Sequence, residues 1–371
     1  MKWLSIILLL AGGCATTEVS QNFSVDDLDP ETMESMPCDP VLAGSPPATG
    51  IRYWKTPFIP LGATGCYVSP IKATDGQMEL WSCVDRRRGP GLTQLGPEER
   101  MAGREMLTDV YDIKEPAKLA GKRAFERGDM RYDEKEGYVF FGCVCPDYLP
   151  GTVSMFPAIM VSKTGEKGTW RYLGKLKGDP ADEGVKRKIW SDGGSIFRLA
   201  DGRWRIYLNG FGPVLAAMES NTLDGEWRFL RDDKGAIREM LPGFPRDKEH
   251  GGCLPHLLRI DDANWHCWIS DKWPPQSIFH FQSADGLDWK PFGEQPEITR
   301  KVFNSVPIKC FRGYYDPDTR QIIGLISVWG KMPYQELDFW SAIKTRLGLL
   351  DEEEWWNLYM TTMPASRLPS N

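Results

Sequence analysis

A hairpin-like segment recurs five times along the chain, and this repeat limits the fold more than any other feature. With Met78, Tyr138, Trp204, Trp265 and Ile322 taken as equivalent positions, the spacings are about 60, 66, 61 and 57 residues. Each segment has a short strand, a turn that contains Asp or Gly, and a second strand rich in aromatic and β-branched residues, which is the pattern of a β-hairpin. A period of this length indicates a fold built from copies of one unit. The segments are Tyr67–Trp81, Met130–Phe141, Ser195–Tyr207, Pro255–Trp268 and Ile308–Leu325.

A second polar segment follows three of these hairpins and ends in Trp each time. The three copies are Ser162–Trp170, Ser220–Trp227 and Ser283–Trp289. Each follows an apolar stretch, as expected of a turn between the outer two strands of a four-stranded sheet. The sequence therefore predicts an all-β fold, a five-bladed β-propeller of four-stranded antiparallel blades. A six-bladed propeller and a β-sandwich are the rival architectures.

Two helices are predicted between the blade units, from Leu95 to Met106 and from Leu337 to about Tyr359. In the second, apolar residues recur at roughly helical spacing. We assign residues 51–371 to the propeller, and the helices would lie within it.

The N-terminus has the pattern of an export signal. Lys2 precedes a short apolar run from Trp3 to Leu10, which is too short for a permanent transmembrane helix. The run ends in Leu10-Ala11-Gly12-Gly13-Cys14, which resembles the bacterial lipobox. We expect residues 1–13 to be a lipoprotein signal peptide, Cys14 to be lipidated, and the polar residues 14–50 to be a flexible tether. The protein would then be a membrane-anchored lipoprotein of the bacterial cell envelope, on the periplasmic side or the outer membrane.

Composition excludes several partners and cofactors. The net charge is −6, the pI is about 5.5, and the longest basic run is Arg86-Arg87-Arg88, so nucleic acid is not expected as a partner. The chain has only four His and no zinc-binding spacing of His or Cys, so we predict no metal site. A structural Ca²⁺ in the central channel has no ligand spacing to support it, and no cofactor is predicted. Phosphate-binding loops and esterase motifs are also absent from the sequence.

The motifs resemble those of the five-bladed propeller glycoside hydrolases. Asp192-Gly-Gly-Ser-Ile-Phe197 with the Asp201-Gly202 turn, and the segment Ser283–Trp289, are similar to motifs of the arabinanase and β-xylosidase family 43 and its neoagarooligosaccharide hydrolase relatives of family 117. The similarity covers roughly residues 60 to 330. It implies a glycoside hydrolase that cleaves plant- or algal-type oligo- or polysaccharides by acid/base catalysis. It also implies a base in the first blade, an orienting carboxylate in the third and an acid in the fourth.

The resemblance can be carried to individual residues only in part. Asp192 matches the orienting carboxylate of the third blade. In the fourth blade Cys253 occupies the register of the acid, so the acid is assigned to Glu249 or to one of the histidines, His250 or His256, since a His can also donate a proton near neutral pH.

The first blade has no Asp before its first strand, so the base must come from elsewhere. Asp85 and Asp129 are the nearest candidates. Asp129 is preferred because it is predicted to begin an inner strand, as Asp192 does. Whether the anomeric configuration is retained or inverted depends on carboxyl separations that a sequence does not contain.

Four further residues are candidates for binding substrate. Arg86 and Arg87 follow the second strand of the first blade and could hold a carboxylate or sulfate of an acidic sugar, although a solvated loop would have the same sequence. Trp273 and Trp329 are predicted just past inner strands, where they could stack on a sugar ring.

Two other functions remain open. The missing first-blade Asp and the presence of Cys253 would suit a non-catalytic, carbohydrate-binding propeller lipoprotein. The Ser-x-Asp-Gly-x-x-Trp segment also resembles the Asp box of sialidases, although here Asp and Gly are adjacent.

Overall fold

A computed structural model of the protein describes residues 54, 58–65, 67–72, 76, 78–85, 89–95, 126–144, 156–178, 194–209, 214–244, 253–271, 277–293, 295–304, 306–331, 343–344, 347 and 354–365. Within these residues, the chain forms five separate sheets. Their strands pair antiparallel, apart from one short parallel strand added to the third sheet. The prediction of an all-β, five-bladed propeller is confirmed.

The first half of the chain forms the first two blades. The N-terminal strand β1 (Ile59–Thr64) precedes them and belongs to the last blade. Blade 1 contains β2 (Ser69–Lys72), β3 (Met78–Asp85) and β4 (Gly89–Leu95). Blade 2 contains β5 (Glu126–Asp133), β6 (Gly137–Val144), β7 (Phe156–Ser162) and β8 (Arg171–Lys175).

The second half of the chain forms the other three blades. Blade 3 joins β9 (Lys177–Gly178) to β10 (Gly194–Arg198), β11 (Trp204–Leu208), β12 (Ala216–Ser220) and β13 (Glu226–Phe229). Blade 4 contains β14 (Cys253–Asp261), β15 (Asn264–Ser270), β16 (Ser277–Ser283), β17 (Lys290–Pro291) and β18 (Ile298–Thr299). Blade 5 contains β19 (Ile308–Asp316), β20 (Gln321–Lys331), β21 (Glu354–Pro364) and β1.

The blades form a closed ring. The innermost strands of the five blades are β2, β5, β10, β14 and β19, and they contact one another in this order, with β19 packed against β2. Antiparallel sheets arranged in this way leave only short edges. The innermost strands therefore surround a central axis, and the side chains that they direct toward it come from all five blades.

Apolar side chains fill the spaces between neighbouring blades. Phe141 and Ile196 belong to the cluster between blades 2 and 3, and Leu257 and Cys267 to the cluster between blades 3 and 4. A further cluster joins blades 4 and 5, and a smaller one joins blades 5 and 1. Each fully buried side chain of this size contributes about 1.5–3 kcal/mol, so the blades stabilise each other mainly through these faces.

The N-terminal strand completes the last blade. β1 pairs antiparallel with β21, with Ile59 opposite Met360 and Thr64 opposite Asn357. Trp54, which precedes β1, is buried and packs against Trp268 and Phe311. The two ends of the described chain thus meet in one sheet, which ties the ring together.

The second predicted helix is wrong over its C-terminal part. Residues 354–359 belong to β21, which pairs with β20 along its whole length, from Gln321 opposite Pro364 to Lys331 opposite Glu354. Pairing with a neighbouring strand therefore overrides the local helical spacing. One helical hydrogen bond does occur earlier in this region, from the Leu347 amide to the Ile343 carbonyl. Most of the remainder, and the first predicted helix beyond Leu95, lie outside the described residues.

The polar segments that end in Trp occupy the predicted position. Ser162–Trp170 joins β7 to β8, Ser220–Trp227 joins β12 to β13, and Ser283–Trp289 joins β16 to β17. The first Ser of each segment accepts backbone hydrogen bonds within the turn; the Gly286 amide, for example, donates to Ser283 Oγ at 3.0 Å. This is the local side-chain-to-backbone bonding that makes Ser a turn former.

Candidate functional site in the central channel

Strand pairing identifies one equivalent polar residue on the innermost strand of every blade. We call the equivalent positions of the five repeats, from Met78 to Ile322, the repeat markers. In each hairpin the residue three positions after the marker pairs with a polar residue: Trp81 with Ser69, Phe141 with Asp129, Tyr207 with Ser195, Trp268 with His256 and Leu325 with Arg312. All five polar residues are buried. We call the set Ser69, Asp129, Ser195, His256 and Arg312 the channel ring.

Several members of the ring hold the next blade by one recurring contact. The Met130 amide of blade 2 donates to Ser69 Oγ at 3.0 Å, and the Leu257 amide of blade 4 donates to Ser195 Oγ at 2.9 Å. In both cases the donor is the residue that follows the ring position of its own blade. His256 makes the analogous contact with blade 5 through Gly313. The ring is thus part of the fold as well as of the candidate site.

Glycine before the ring position is required by close packing in blades 2 and 3. A Cβ on Gly128 would lie 2.5 Å from the Phe141 carbonyl oxygen, and a Cβ on Gly194 would lie 2.3 Å from the Tyr207 carbonyl oxygen. Phe141 and Tyr207 are the partners of Asp129 and Ser195. The inner hairpins are therefore too close at this point for any larger residue.

Asp129 is the carboxylate of the channel ring. Its side chain is fully buried, and Oδ2 accepts a hydrogen bond from Arg131 Nε at 2.8 Å. Oδ1 accepts a longer bond from the Ser69 hydroxyl at 3.4 Å. Arg131 also donates to the Leu257 carbonyl across the channel at 2.6 Å. These contacts fix the position of a buried carboxylate whose charge Arg131 balances.

His256 faces Asp129 across the channel. Its Nε2 lies 2.8 Å from the Gly313 carbonyl oxygen, which can only accept, so Nε2 carries the proton. Burial, and after it the charges of Arg131 and Arg312, lowers the pKa of His256 well below its usual range. The ring is therefore neutral near pH 7, with an unprotonated Nδ1. That atom lies 3.9 Å from Asp129 Oδ1 and has no hydrogen-bond partner in the described part of the chain.

Blade 5 supplies two buried basic side chains from its innermost strand. Arg312, 1% exposed, donates to the carbonyls of Pro255 at 3.2 Å and Gly128 at 3.4 Å, and so reaches blades 4 and 2. Lys309, 0% exposed, has its Nζ 5.2 Å from the ring centroid of Tyr67, and the Arg312 guanidinium lies 5.9 Å from the same centroid. The tyrosine face is thus shared by two cations.

A second polar cluster lies away from the channel, between blade 4 and the N-terminal segment. Glu297 accepts hydrogen bonds from the indoles of Trp54 at 3.0 Å and Trp268 at 2.9 Å, and lies 3.0 Å from His280 Nδ1. His280 Nε2 in turn lies 2.8 Å from His266 Nδ1. Burial, and then His280, lowers the pKa of His266 well below its usual range. This cluster fastens Trp54 to the propeller.

The geometry limits what Asp129 and His256 can do. In glycoside hydrolases of the two common types the acid and the base lie on opposite sides of the scissile bond, about 5–5.5 Å or 6.5–9.5 Å apart. Asp129 Oδ1 and His256 Nδ1 are 3.9 Å apart, which leaves no room for a glycosidic bond between them. These two groups therefore do not fit the roles of acid and base on opposite sides of one bond.

The structure brings together two of the predicted site residues. Asp129 and His256 are neighbours in the channel ring, although their predicted roles are not tested by this. Trp329 lies within β20, not beyond an inner strand as predicted, and its backbone pairs with Trp356. The other predicted residues lie outside the described residues: Cys14, Arg86, Arg87, Asp192, Glu249, His250 and Trp273. Asp85 ends β3, and its side chain is likewise outside the description.

The predicted equivalence of Asp129 and Asp192 is wrong in register. β5 begins at Glu126, so Asp129 is the fourth residue of its strand, and its counterpart in blade 3 is Ser195. Glu126 precedes Gly128 by two residues, as Asp192 precedes Gly194. A one-residue bulge between Glu126 and Asp129 accounts for the error, since alternation of side chains cannot be counted across it.

Sequence reasoning missed the basic half of the site, Arg131, Lys309 and Arg312. The repeat itself contains the signal, because Ser69, Asp129, Ser195 and His256 each precede the marker of their repeat by nine residues, and Arg312 precedes its marker by ten. Among the described residues there is no group of three His, Cys, Asp or Glu side chains that could hold a metal ion, and no helix long and apolar enough to cross a membrane.

No protein-family model matches the chain, and no curated protein has significant sequence similarity to it. Several solved structures, however, are similar to it in fold. An α-L-arabinofuranosidase from Lactobacillus brevis has a TM-score of 0.52 and 9% identity, with 83% of this chain and 92% of that chain covered. The GH43 protein BlXynB from Bacillus licheniformis has a TM-score of 0.51 and 12% identity, with 73% of this chain and 50% of that chain covered.

The matched region thus spans about half the length of BlXynB. The TM-scores indicate a shared fold. The sequence identities are so low that the chemistry of this chain must be argued from its own residues. The chain therefore has the five-bladed β-propeller fold of the GH43 glycoside hydrolases, as its sequence resemblance predicted.

Proposed function

We propose that the protein is a glycoside hydrolase that cleaves oligo- or polysaccharides of plant or algal type. The observation that carries the proposal is the buried carboxylate of Asp129 at the centre of a five-bladed propeller, held by Arg131 and Ser69 and facing neutral His256. Glycoside cleavage needs a proton donor at the leaving oxygen and a carboxylate on the other side of a positively charged centre.

In this proposal the two sides of the substrate are served by different parts of the site. Asp129, with His256 against it, supplies negative charge and accepts a proton from within the channel. Asp192, which precedes β10 in the sequence, orients the substrate, and Glu249 or His250, both of which precede β14 in the sequence, donates the proton to the leaving group. The separation of 3.9 Å between Asp129 and His256 is the reason to assign the acid to residues 249 and 250 and not to His256.

A non-catalytic carbohydrate-binding propeller is the second candidate. The composition of the channel ring favours it, because the ring holds only one carboxylate, that of Asp129. Such a protein would bind the same sugars without cleaving them.

A screen against plant and algal oligosaccharides separates the two candidates. We would measure the release of new reducing ends and, in parallel, the thermal shift on binding, for the wild type, Asp192→Asn and Asp129→Asn. Asp201→Asn is the matched control, because Asp201 is half exposed in the turn between β10 and β11, away from the channel. Cleavage that depends on Asp129 supports the hydrolase. Binding without cleavage by the wild type would contradict it in favour of the second candidate.

We also propose that the propeller is attached to the bacterial cell envelope by a lipid at Cys14. The support is the sequence Leu10-Ala11-Gly12-Gly13-Cys14 after a short apolar run. The Cys14→Ser protein is expected in the soluble fraction of the cell. Its retention with the membranes would remove Cys14 as the anchor.

A further inference from the structure

The tautomer of His256 affects what Asp129 can do in the proposed reaction. With its proton on Nε2, His256 presents the lone pair of Nδ1 toward Asp129 Oδ1, 3.9 Å away. The opposite tautomer would point an N–H at Asp129 and make that carboxylate a weaker proton acceptor. The carbonyl of Gly313, 2.8 Å from Nε2, selects the first tautomer. The side chains that hold this contact in place therefore influence the carboxylate.

Two aromatic side chains, Trp268 and Phe311, pack beside the contact between His256 and Gly313; we call them the aromatic pair. A Cβ added to Gly313 would lie 3.3 Å from Phe311 Cε1 and 3.5 Å from Trp268 Cζ3. Trp268 is the cross-strand partner of His256, and its ring lies at 27° to the imidazole with 6.4 Å between the centroids. The two rings of the pair are 4.8 Å apart. The pair thus supports both the imidazole and the backbone that accepts its proton.

Trp54, in the segment before β1, packs against the aromatic pair. Its ring centroid lies 5.2 Å from that of Phe311 and 6.3 Å from that of Trp268. Glu297 joins the two tryptophans, because one carboxylate oxygen accepts the Trp54 indole N–H at 3.0 Å and the other accepts that of Trp268 at 2.9 Å. Such hydrogen bonds fix the angle of each indole as well as its position, which apolar packing alone does not. Direct side-chain contacts therefore connect the N-terminal segment to His256.

We propose that Trp54 and Glu297 are positioning residues for the candidate site. By holding the aromatic pair against the Gly313 backbone, they keep His256 in the tautomer that leaves Asp129 free to accept a proton. The inference deepens the proposed function and rests on it for the role of Asp129, whereas the state of His256 can be measured independently. The N-terminal segment then contributes to the site although it contacts no reacting group.

The test reads the tautomer of His256 from the nitrogen chemical shifts of isotope-labelled histidine in the full-length protein near neutral pH. The chain has four His, so His256→Gln assigns the signals. The wild type should show one state, with Nε2 protonated and Nδ1 unprotonated. In Trp54→Ala and Glu297→Gln both shifts should move toward intermediate values, because the two tautomers then exchange. Trp54→Phe keeps most of the packing without the hydrogen bond, and should give a smaller change in the same direction.

Trp227→Phe is the matched control for Trp54→Phe. Trp227 is also a buried tryptophan whose indole donates a hydrogen bond, to the Leu223 carbonyl at 3.4 Å. It lies on β13, which two strands separate from the innermost strand of blade 3. Its substitution should leave the His256 shifts at their wild-type values. Circular dichroism would establish that each variant is folded.

Three results would overturn the inference. The first is a wild type in which His256 is a mixture of tautomers or carries its proton on Nδ1. The second is wild-type shifts of His256 in Trp54→Phe and Glu297→Gln. The third is an equal disturbance of His256 by Trp227→Phe, since the effect would then not depend on the contact with Trp54.

The proposed function fails separately. On a substrate that the screen identifies, turnover by Trp54→Ala should fall by up to about 100-fold, the size that a displacement of about 1 Å can cause. Wild-type cleavage by Trp54→Ala with undisturbed His256 would keep the hydrolase and remove the positioning role. A disturbed tautomer in a protein that cleaves no oligosaccharide would keep the coupling of Trp54 to His256 and remove the hydrolase.

Discussion

The close approach of the inner strands restricts which residue types can occupy the positions beside the channel of this propeller. The channel ring combines a carboxylate, an imidazole, a guanidinium and two hydroxyls, each of which contacts a neighbouring blade. Two of these residues follow a glycine that no larger residue can replace. The polar side chains of the ring form the candidate site. The glycines allow the inner hairpins to pack closely enough to bring those side chains together.

Substitution of Gly194 tests this packing. In Gly194→Ala the new Cβ would lie 2.3 Å from the Tyr207 carbonyl oxygen and 2.8 Å from Phe141 Cε1, so the inner hairpin of blade 3 must shift. We expect a loss of about 3 kcal/mol in the free energy of unfolding, as is typical of overpacked sites. Gly330→Ala is the control, because among the described residues its Cβ meets only the Asn357 side chain, at 3.3 Å. Equal stability of the two variants in urea unfolding would contradict the prediction.

At the scale of strands and hairpins, the sequence predicted the elements that recur in each repeat. It did not predict the pairing of strands that lie far apart in the chain. The hairpins and the outer turns follow from local patterns of apolar residues, Asp and Gly, so they could be located. β1 and β21 are each other's partners at opposite ends of the described chain. Their pairing has no local signal, and the stretch before β21 suggested a helix.

The residues of the candidate site were likewise predictable only in part. Asp129 and His256 were found because acids and histidines are the usual groups for acid/base catalysis, whereas Arg312 has no motif around it. The bulges in β5, β14 and β19 hid the common register of the ring, because each one shifts the alternation of side chains by one residue.

The histidines of blade 4 make stability depend on pH. The pKa of buried His266 is lower in the folded protein than its unfolded value of about 6.5, so below that pH the unfolded chain binds more protons. The free energy of unfolding should be full above pH 6.5 and should fall as the pH drops below it, by about 1.4 kcal/mol per pH unit for each such histidine. His256 adds to this effect, since its pKa is lowered in the same direction.

Urea unfolding at pH 7.5, 6.0 and 5.0 measures this dependence. The wild type should lose stability as the pH falls, and His266→Gln should lose less, because one of the two groups no longer titrates. The same pH dependence in the wild type and in His266→Gln would show that His266 contributes nothing to it.

The whole molecule is a ring of five blades that depends on each interface between neighbours. Apolar clusters hold the blades face to face, and the N-terminal strand and Trp54 close the ring. The arrangement gathers one polar side chain from each blade at the axis, where no single blade could build a site. The proposed function is therefore expected at the centre of the ring.

The most direct test of that claim is the rate of oligosaccharide cleavage by Asp129→Asn, on whichever substrate the screen identifies. The substitution removes the charge of the ring carboxylate with almost no change in volume. We predict a loss of at least about 100-fold in turnover, the lower range for a missing acid or base, with the fold retained by circular dichroism and with Asp201→Asn as active as the wild type. Turnover by folded Asp129→Asn at the wild-type rate would contradict the central placement of the site.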